Sequence, residues 1–296
     1  MTESKGSTAS SDDLRVVADV RIVEDSLTVV DDFDSPTPPF LPAGSADPVK
    51  RAIDIAVSAA GLLAASPVLI PVMYLVWRQD RHSPFYVAPR VGRGDRDFAM
   101  VKLRSMVAGA DKTGVDSTAA GDARITPVGH FIRRYKLDEL TQLWNVARGE
   151  MSLVGPRPNV RRETGLYTRE EKRLLEVKPG ITDFASIVFS DEADILADHP
   201  VDPDIAYNQL IRPGKSALGL FYIDHRSHIV DAQIVLLTGV AIVSRARALR
   251  GVVKVLRRLE APPPLVALAA RQSRLEPSPP PGASKVVTSR DGNPYI

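Results

Sequence analysis

The stretch AIDIAVSAAGLLAASPVLIPVMYLVW, residues 52–77, is apolar apart from one charged residue, Asp54, near its start. At about 1.5 Å per residue, a helix of this length can cross the roughly 30 Å hydrocarbon core of a bilayer. Composition leaves three interpretations open: a helix that crosses the membrane, a hairpin that enters and leaves by the same face, and a buried core helix. The fold of the chain depends on which of them holds.

Two patterns in and around this segment favour the hairpin. Ser66 and Pro67 lie near its middle, and proline removes a backbone donor and clashes with the preceding turn, so a membrane break is expected there. Basic residues flank the segment on both sides: Lys50, Arg51, Arg78 and Arg81. Because positive charge stays on the cytoplasmic side, both ends are expected on that side. We therefore predict a re-entrant helix-break-helix over residues 48–81.

The rest of the chain divides by composition. Residues 1–47 combine Asp, Ser and Thr with a Pro-rich end, which predicts a disordered acidic N-terminal arm. Residues 82–260 predict a compact cytoplasmic domain whose last segments are apolar, then basic and amphipathic, a pattern typical of helices on an anionic membrane surface. Residues 261–296 are Pro-rich and predict a flexible tail.

Short periodic segments within residues 82–260 predict an α+β fold. FYVA and FAMVKL alternate around a Gly/Asp turn, which indicates a β-hairpin, and MSLV and ITDFASIVF are strand-like. GHFIRRYKLDELTQLWNVARGE has helical spacing. The expected architecture is a membrane-embedded helix-break-helix followed by short strands and amphipathic interfacial helices.

The totals exclude several classes of protein. The chain has no cysteine, so it has neither disulfides nor thiolate metal sites nor cysteine nucleophiles. Its formal net charge is only +2, and it shows no nucleic-acid recognition module, so no nucleic-acid partner is expected. The five histidines show no metal-ligand spacing, and the chain has no nucleophile elbow and no recognisable Rossmann pattern.

The segment KLDELTQLWN places two adjacent carboxylates, Asp138 and Glu139, between two groups of arginines. A solvated acidic pair on a surface helix would give the same letters. A site that handles phosphate needs a carboxylate as nucleophile or metal ligand and cations to neutralise phosphate oxygens. Arg157 lies between two prolines, whose fixed φ angles limit the backbone freedom lost on binding. Further cations of suitable type are Lys102, Arg104, Arg133 and Arg134.

Several of these pieces, taken together, resemble the bacterial sugar transferase family of monotopic phosphoglycosyl transferases. The matching segments are KRAIDI, the apolar stretch with Ser66 and Pro67, PRVGRGDRDFAMVKLRSM, ITPVGHFIRRYKLDELTQLWNVARGEMSLVGPRP and KPGIT. They occur in the family's order and spacing. The resemblance implies a transfer of sugar-1-phosphate from a UDP-sugar to polyprenyl (undecaprenyl) phosphate with release of UMP, which initiates glycan or exopolysaccharide assembly. It also implies a location at the cytoplasmic face of the bacterial inner membrane.

The resemblance further assigns roles to individual residues. Asp138 would be the nucleophile that forms a covalent phosphosugar intermediate and would bind Mg²⁺, and Glu139 would be its acidic partner. Ser66 and Pro67 would form the membrane break. The residues expected to bind phosphate or substrate are Arg157, Lys102, Arg104, Arg133, Arg90 and Gln142. Contact with membrane lipid and a homodimer are also expected.

The chain departs from the family pattern at three places. Many members have Pro where this chain has Thr141, and Gln where it has Ala88. KPGIT continues as DFASIVF instead of the frequent Gly-Trp-Ala-Gln form, which leaves the preference for nucleotide-sugar or acceptor open. The main alternative to an enzyme is a catalytically silent membrane scaffold with the same fold.

Overall fold

The computed structural model describes residues 47–110, 122–197 and 202–289, all of which belong to one compact unit, Phe40–Ile296. The acidic arm predicted over residues 1–47 lies outside the described residues, except for Asp47. The strands are β1 (Phe85–Val91), β2 (Asp97–Leu103), β3 (Ser152–Val154) and β4 (Gly180–Thr182). The helices are α1 (Pro48–Asp80), α2 (Pro127–Arg134), α3 (Leu137–Leu140), α4 (Leu143–Arg148), α5 (Arg161–Thr164), α6 (Phe184–Val188), α7 (Glu192–Ala197), α8 (Pro203–Ala206), α9 (Arg212–His225), α10 (His228–Val243), α11 (Arg245–Arg258) and α12 (Pro263–Ala270).

The strands form two small sheets within the described residues. β1 and β2 pair antiparallel, with Phe85 opposite Leu103 and Val91 opposite Asp97, which confirms the predicted hairpin. β3 and β4 pair parallel, with Ser152 opposite Gly180. Helices surround both sheets, so the structure is α+β, as predicted.

Helix α1 runs without interruption through Pro67 and Pro71. Pro67 has no N–H to donate to the carbonyl of Leu63, four residues earlier, and the Ser66 hydroxyl donates to that carbonyl instead, at 2.7 Å. The hydroxyl therefore satisfies the acceptor that the proline leaves open. The structure thus describes one helix, Pro48–Asp80, across Ser66 and Pro67, and a membrane break at these two residues remains a prediction.

Both halves of α1 pack on the rest of the same unit. Near its start, Asp54 accepts hydrogen bonds from the Ser152 hydroxyl at 3.2 Å and the Leu153 N–H at 3.1 Å, and Arg51 donates to the last carbonyls of α4. Near its end, apolar side chains join a buried cluster: Leu69, Val72, Val76, Leu103, Ile132 and Leu137. The motif KRAID thus anchors α1 to α4 and β3.

The outward face of α1 is apolar and exposed. Leu63 is 76% exposed and Ile70 is 63% exposed. Among the described residues, α1 is the one helix long and apolar enough to cross a membrane. An exposed face of this composition is typical of a helix in contact with lipid.

The predicted helical stretch around Asp138 is divided into three short helices. Lys136 has a φ of 52°, in the left-handed region, and it separates α2 from α3. α4 begins only at Leu143 and ends at Arg148, where it is followed by Gly149, which has a φ of 88°. The helical spacing was predicted, but the left-handed residue that divides it was not.

The segment ITDFASIVF was predicted as a strand, and the structure corrects most of it to a helix. Only Gly180–Thr182 is extended, and α6 follows at once. Asp183 caps α6 because its carboxylate accepts from the N–H and the hydroxyl of Ser186, both at 2.6 Å. The cap overrides the strand propensity of the apolar residues that follow.

The C-terminal part also differs from the prediction. The apolar side of α11 packs on the main core through Ala248, Val252 and Leu256, so that side faces protein instead of lipid. The predicted flexible tail, residues 261–296, includes α12, and its described part up to residue 289 packs on the unit. Val287 is fully buried and its carbonyl accepts from the side chain of Gln209 at 2.7 Å.

Candidate active site

Two side chains of KLDELTQLWN fix the acid pair beside the hairpin. β1 covers one edge of β2, and the other edge is occupied by Thr141 and Asn145. The Thr141 hydroxyl donates to the Val101 carbonyl at 3.1 Å, and the Asn145 amide accepts from the Val101 N–H at 2.9 Å and donates to the Ala99 carbonyl at 2.7 Å. Proline in place of Thr141 would lack this hydroxyl. These bonds hold α3 and its carboxylates next to the end of β2.

Four charged side chains come together there, which we call the Asp138 cluster: Lys102, Asp138, Glu139 and Arg157. Arg157 donates to the Glu139 carboxylate at 3.1 Å. Burial raises the pKa of Asp138, the charge of Lys102 opposes this, and the net shift is upward. Burial would also raise the pKa of Glu139, but the charges of Arg157 and Lys136 outweigh it and leave the pKa below its usual value. The two carboxylates of the pair are therefore distinguished by their surroundings.

The loop that carries Arg157 is fixed by a close contact between two glycines. The N–H of Gly155 donates to the Thr182 carbonyl at 3.1 Å, and that of Gly180 donates to the Pro156 carbonyl at 3.0 Å. A Cβ on Gly180 would lie 2.1 Å from the nitrogen of Gly155, closer than packed atoms approach. The GPRP and KPGIT segments thus pack against each other and together fix the loop that carries Arg157.

Lys102 and Arg90 bring further positive charge to the site. They lie on paired strands, and Arg90 acts electrostatically on Lys102. Burial and the charge of Arg157 lower the pKa of Lys102 to about 8, although Asp138 opposes the shift. Lys102 is therefore close to losing its proton at neutral to mildly alkaline pH.

Gln142, three residues after Glu139, is buried, with 1% of its surface exposed. Its side-chain nitrogen has no hydrogen-bond partner among the residues that the structure describes. A buried amide that lacks a partner is costly, so a water molecule or ligand is the expected acceptor. The predicted role of Gln142 in substrate binding remains a prediction.

Two of the predicted cations lie in other surroundings. Arg104 is buried and forms a two-pronged ion pair with Asp80, at 2.5 and 2.7 Å, which ties the end of α1 to β2. Arg133 donates to the Ser105 hydroxyl at 3.0 Å. Arg104 is thus engaged in holding α1, and the structure gives it no contact with the Asp138 cluster. Ser66 and Pro67 lie within α1.

Several charged residues that stand in no recognised motif are brought near Arg157 by the fold. Asp183 and Glu192 act electrostatically on the Arg157 guanidinium, and Lys215 pairs with Glu192. Burial raises the pKa of Asp183 and of Glu163, and the charge of Lys215 opposes both shifts. The one available signal was the departure from the family pattern after KPGIT, because Asp183 begins that segment.

The Asp138 cluster suits a magnesium ion that is held by one carboxylate together with substrate phosphates. Among residues 47–110, 122–197 and 202–289, no three acidic or histidine side chains form a ready-made metal cage. Mg²⁺ commonly binds one or two carboxylates together with substrate phosphates and keeps several waters. Asp138 supplies such a carboxylate, whereas Glu139 is engaged by Arg157. The residues thus suit an ion that arrives with a phosphorylated substrate.

Comparison with known proteins agrees with this geometry. The family model described as "Bacterial sugar transferase" matches residues 45–245, which include α1 and every residue of the Asp138 cluster. The chain therefore belongs to the bacterial sugar transferase family, and the resemblance seen in the sequence is confirmed.

Curated relatives match the same part of the chain. A UDP-N-acetylgalactosamine-undecaprenyl-phosphate N-acetylgalactosaminephosphotransferase of Aeromonas hydrophila is 35% identical over 149 residues, which are 49% of this chain and 35% of that protein. A UDP-galactose-lipid carrier transferase of Erwinia amylovora is 38% identical, over 45% of this chain and 31% of that protein. The exopolysaccharide production protein ExoY of Rhizobium meliloti is 34% identical, over 49% of this chain and 74% of that protein. The chain spans about a third of the first two relatives.

The pKa of Lys102 predicts a pH dependence. The ammonium is charged below about pH 8 and neutral above it, so kcat/KM for a phosphorylated donor should fall as pH rises through that value. Since kcat/KM reports the free enzyme, bound phosphate does not mask the transition. Lys102→Arg should remove the decline, because a guanidinium stays charged at these pH values. An unchanged alkaline decline in Lys102→Arg would assign it to another group.

Proposed function

We propose that this protein is a phosphoglycosyl transferase that moves a sugar-1-phosphate from a UDP-sugar to polyprenyl (undecaprenyl) phosphate and releases UMP. One observation carries the proposal: the partly buried Asp138 carboxylate lies among the cations Lys102 and Arg157, in a member of the bacterial sugar transferase family. The relatives named above support the same class of reaction through the substrates in their names.

The first step would be an attack by a carboxylate oxygen of Asp138 on the phosphorus that carries the sugar. A bond forms between that oxygen and phosphorus, the bond to the bridging oxygen of the pyrophosphate breaks, and UMP leaves with the electron pair. Burial keeps the Asp138 carboxylate weakly solvated and more basic than usual, which favours its action as a nucleophile. The product of this step is a covalent aspartyl-phosphosugar.

In the second step a phosphate oxygen of polyprenyl phosphate would attack the same phosphorus. The bond from Asp138 to phosphorus breaks and the carboxylate is restored, so the enzyme is unchanged after one cycle. Division of the transfer into two displacements is the usual benefit of covalent catalysis.

The surrounding charges address the main obstacle, the approach of one anion to another. Two like unit charges 4 Å apart repel by about 4 kcal/mol at an effective dielectric near 20. Lys102 and Arg157 would offset this repulsion by binding phosphate oxygens. Glu139 stays ionised and would orient the Arg157 guanidinium, with which it pairs. Bound Mg²⁺ would add further positive charge at the pyrophosphate and leaving group.

The packing of α1 supports a re-entrant helix at the cytoplasmic face of the bacterial inner membrane. Arg51 and Asp54 near the start of α1 and Val76 near its end all contact the same compact unit. A helix that crossed the bilayer would carry one of these ends to the opposite side. The exposed apolar face would then meet lipid, and the Asp138 cluster would receive the phosphate of a long polyprenol.

Because the chain has no cysteine, single cysteines can report this topology. Cysteines introduced at Val49 and at Arg81 should both be protected from a membrane-impermeant maleimide in intact cells and labelled after the inner membrane is opened. Labelling of one site alone in intact cells would mean that α1 crosses the membrane. A homodimer remains a prediction, which light scattering of the purified protein in detergent would test.

The reaction is tested by UMP release from purified protein in detergent with Mg²⁺, polyprenyl phosphate and a panel of UDP-sugars. The proposal expects release with at least one donor, dependent on the acceptor after the first turnover. Failure with every donor would favour a silent scaffold with the same fold.

A further inference from the structure

Helix α10 exposes a continuous apolar surface that has no role in the reaction described above. Exposed residues recur along the helix at intervals of three or four, so they lie on one side of it. We call this set the α10 stripe: Ile229, Ala232, Leu236, Gly239, Val240 and Val243. Leu236 is 70% exposed and Val243 is 83% exposed. A surface of this kind on a folded protein is typical of a contact site.

Helix α11 exposes a basic surface with the same spacing. We call this second set the α11 stripe: Arg247, Arg250, Lys254, Arg257 and Arg258. Arg258 donates to the side-chain oxygen of Gln233 at 2.6 Å. The other four form no ion pair with any residue that the structure describes. Their charge is therefore available to an anionic partner.

The elements packed on α11 supply little opposing charge. Asp231 of α10 pairs with Lys50, and Asp191 pairs with Arg245 and Arg271, which lie outside the stripe. Helices α6 and α12, which also pack on α11, contain no acidic residue. Glu260, just after α11, is exposed and is the nearest acidic residue along the chain. The α11 stripe is thus a surface of net positive charge.

The two stripes face the same direction. Both helices bury their opposite sides in one core, through Ile234 of α10 and Val252 of α11. They lie side by side and antiparallel, because Arg258 meets Gln233 and Leu237 packs against Gly251, where an added Cβ would lie 2.2 Å from it. Two helices that rest side by side on a common core expose their free sides together. An apolar band and a basic band therefore adjoin on one surface.

This surface begins beside the start of α1. Lys50 forms an ion pair with Asp231, and His228 lies 3.3 Å from Asp47. Ile229 is 67% exposed and Val49 is 54% exposed, so apolar exposure continues from one helix to the other. The exposed face of α1 is the proposed lipid contact, and α10 starts at the same end of it.

We propose that the two stripes form a second membrane contact, in which the α10 stripe enters the bilayer surface and the α11 stripe binds the headgroups of anionic phospholipids. The inference rests on the membrane location proposed for α1 and does not depend on the reaction. Each lysine or arginine near an anionic bilayer strengthens binding about fivefold. The contact would hold the Asp138 cluster at a fixed orientation to the membrane.

The pairing of the stripes favours lipid over other anionic partners. A nucleic acid or an acidic protein segment would match the α11 stripe but would leave the adjoining α10 stripe in water. A second copy of the chain, seated on the α10 stripe by a twofold axis, would bring two α11 stripes together, and like charges disfavour that arrangement. A bilayer with anionic headgroups offers both an apolar and a negative layer.

The contact differs from the single amphipathic helix that the sequence predicted. The apolar side of α11 is buried in the protein, so α10 supplies the apolar part and α11 the charge. The match to the family model ends at residue 245, where α11 begins. The basic half of this surface thus lies in a part of the chain that follows the family match.

The first measurement locates the α10 stripe. Because the chain has no cysteine, a fluorescent probe can be attached to a single introduced cysteine at Leu236, at Leu63 of α1 or at the exposed control site Lys172. The full chain is placed in nanodiscs, and each probe is quenched with lipids that carry brominated acyl chains and, separately, with iodide in the buffer. Probes at Leu236 and Leu63 should be quenched by the brominated chains, and the probe at Lys172 by iodide.

The second measurement tests the choice of headgroup. A probe on a cysteine at Ala246, which is exposed beside the α11 stripe, is quenched by spin-labelled phosphatidylglycerol or phosphatidylcholine. Quenching by the anionic lipid should be at least about threefold stronger in low salt, and about 0.5 M NaCl should reduce that ratio. Arg250→Gln with Lys254→Gln should bring the ratio close to one. Arg250→Lys with Lys254→Arg should preserve it, because both charges remain.

Arg169→Gln with Lys172→Gln is the matched control, since it also removes two exposed cations, and it should leave the ratio unchanged. Thermal unfolding would verify that each variant is folded. The substitutions are on exposed side chains, so the unfolding temperature should not change.

Several results would overturn the inference. A Leu236 probe that iodide quenches would place the α10 stripe in water, and one shielded from both quenchers would show that a second copy covers it. Equal quenching by the two lipids, or a ratio unchanged in Arg250→Gln with Lys254→Gln, would remove the headgroup assignment. A Leu63 probe that brominated chains do not quench would overturn the location of α1 as well. Absence of UMP release with every donor would overturn the proposed reaction alone.

Discussion

Asp138→Asn is expected to lower kcat for UMP release by at least about 10³-fold, because an amide cannot act as the nucleophile. Asparagine has nearly the same size as aspartate, so the bonds of Thr141 and Asn145 that hold α3 should persist. The thermal unfolding temperature should therefore not fall. The assay is UMP release with the best donor, polyprenyl phosphate and Mg²⁺.

Asp224→Asn is the matched control for that substitution. Asp224 is exposed and pairs with Arg173 at the surface, so its loss should leave kcat within about twofold. Substantial UMP release by folded Asp138→Asn would remove Asp138 as the nucleophile. Equal losses in both variants would point to a general effect of lost negative charge.

Glu171→Gln is expected to reduce the free energy of unfolding by about 3–5 kcal/mol, the largest effect on stability that the structure predicts. Glu171 is fully buried, and its two oxygens accept from the Arg212 guanidinium at 3.0 and 2.6 Å. It also accepts from the Ser216 hydroxyl at 2.7 Å and from the Thr168 N–H at 3.0 Å. Glutamine keeps the shape but removes the negative charge that faces the buried Arg212 guanidinium.

The measurement is the thermal unfolding temperature in detergent, which should fall by about 10 °C. The exposed pair of Arg173 and Asp224 again supplies the comparison, since an exposed ion pair contributes only about 0–1 kcal/mol. A fall in Glu171→Gln no larger than that in Asp224→Asn would show that the buried pair does not stabilise the fold as described.

Local patterns predicted the parts of the fold that depend on neighbouring residues. The alternation of FYVA and FAMVKL around a Gly/Asp turn predicted β1 and β2, because a hairpin is specified by its own residues. The Asp183 cap was missed, although Asp is a preferred residue at the N-cap of a helix. The apolar residues after Asp183 favour a strand by composition, and this pattern led to the wrong prediction for the segment that forms α6.

Long-range partners explain the remaining differences. Arg104 was predicted to bind phosphate from its residue type, and that role remains a prediction. Its ion pair with Asp80, the last residue of α1, could not be inferred from spacing. The Pro-rich tail was predicted as flexible from composition, yet Val287 is buried and Thr168 donates to the Pro281 carbonyl at 2.5 Å. Composition does not reveal whether such a segment finds a surface to pack on.

Only part of the candidate site was predicted, because some of its residues stand in recognised motifs and others are brought together only by the fold. Asp138, Glu139 and Arg157 stand in motifs whose letters match a known family, so the resemblance was enough to select them. Glu192 stands in no such motif, and only the fold brings it within electrostatic reach of Arg157 and pairs it with Lys215. Residue type and spacing cannot supply that contact, because α7 and α9 are separate elements.

The most direct test of the account is the intact mass of the protein after incubation with Mg²⁺ and its UDP-sugar donor, without polyprenyl phosphate. The account predicts a mass increase equal to one sugar phosphate, an adduct at Asp138, and release of an equal amount of UMP. Addition of polyprenyl phosphate should then restore the original mass. Donor turnover to UMP and lipid-linked sugar with no adduct, under conditions where a single turnover is resolved, would contradict the covalent role of Asp138.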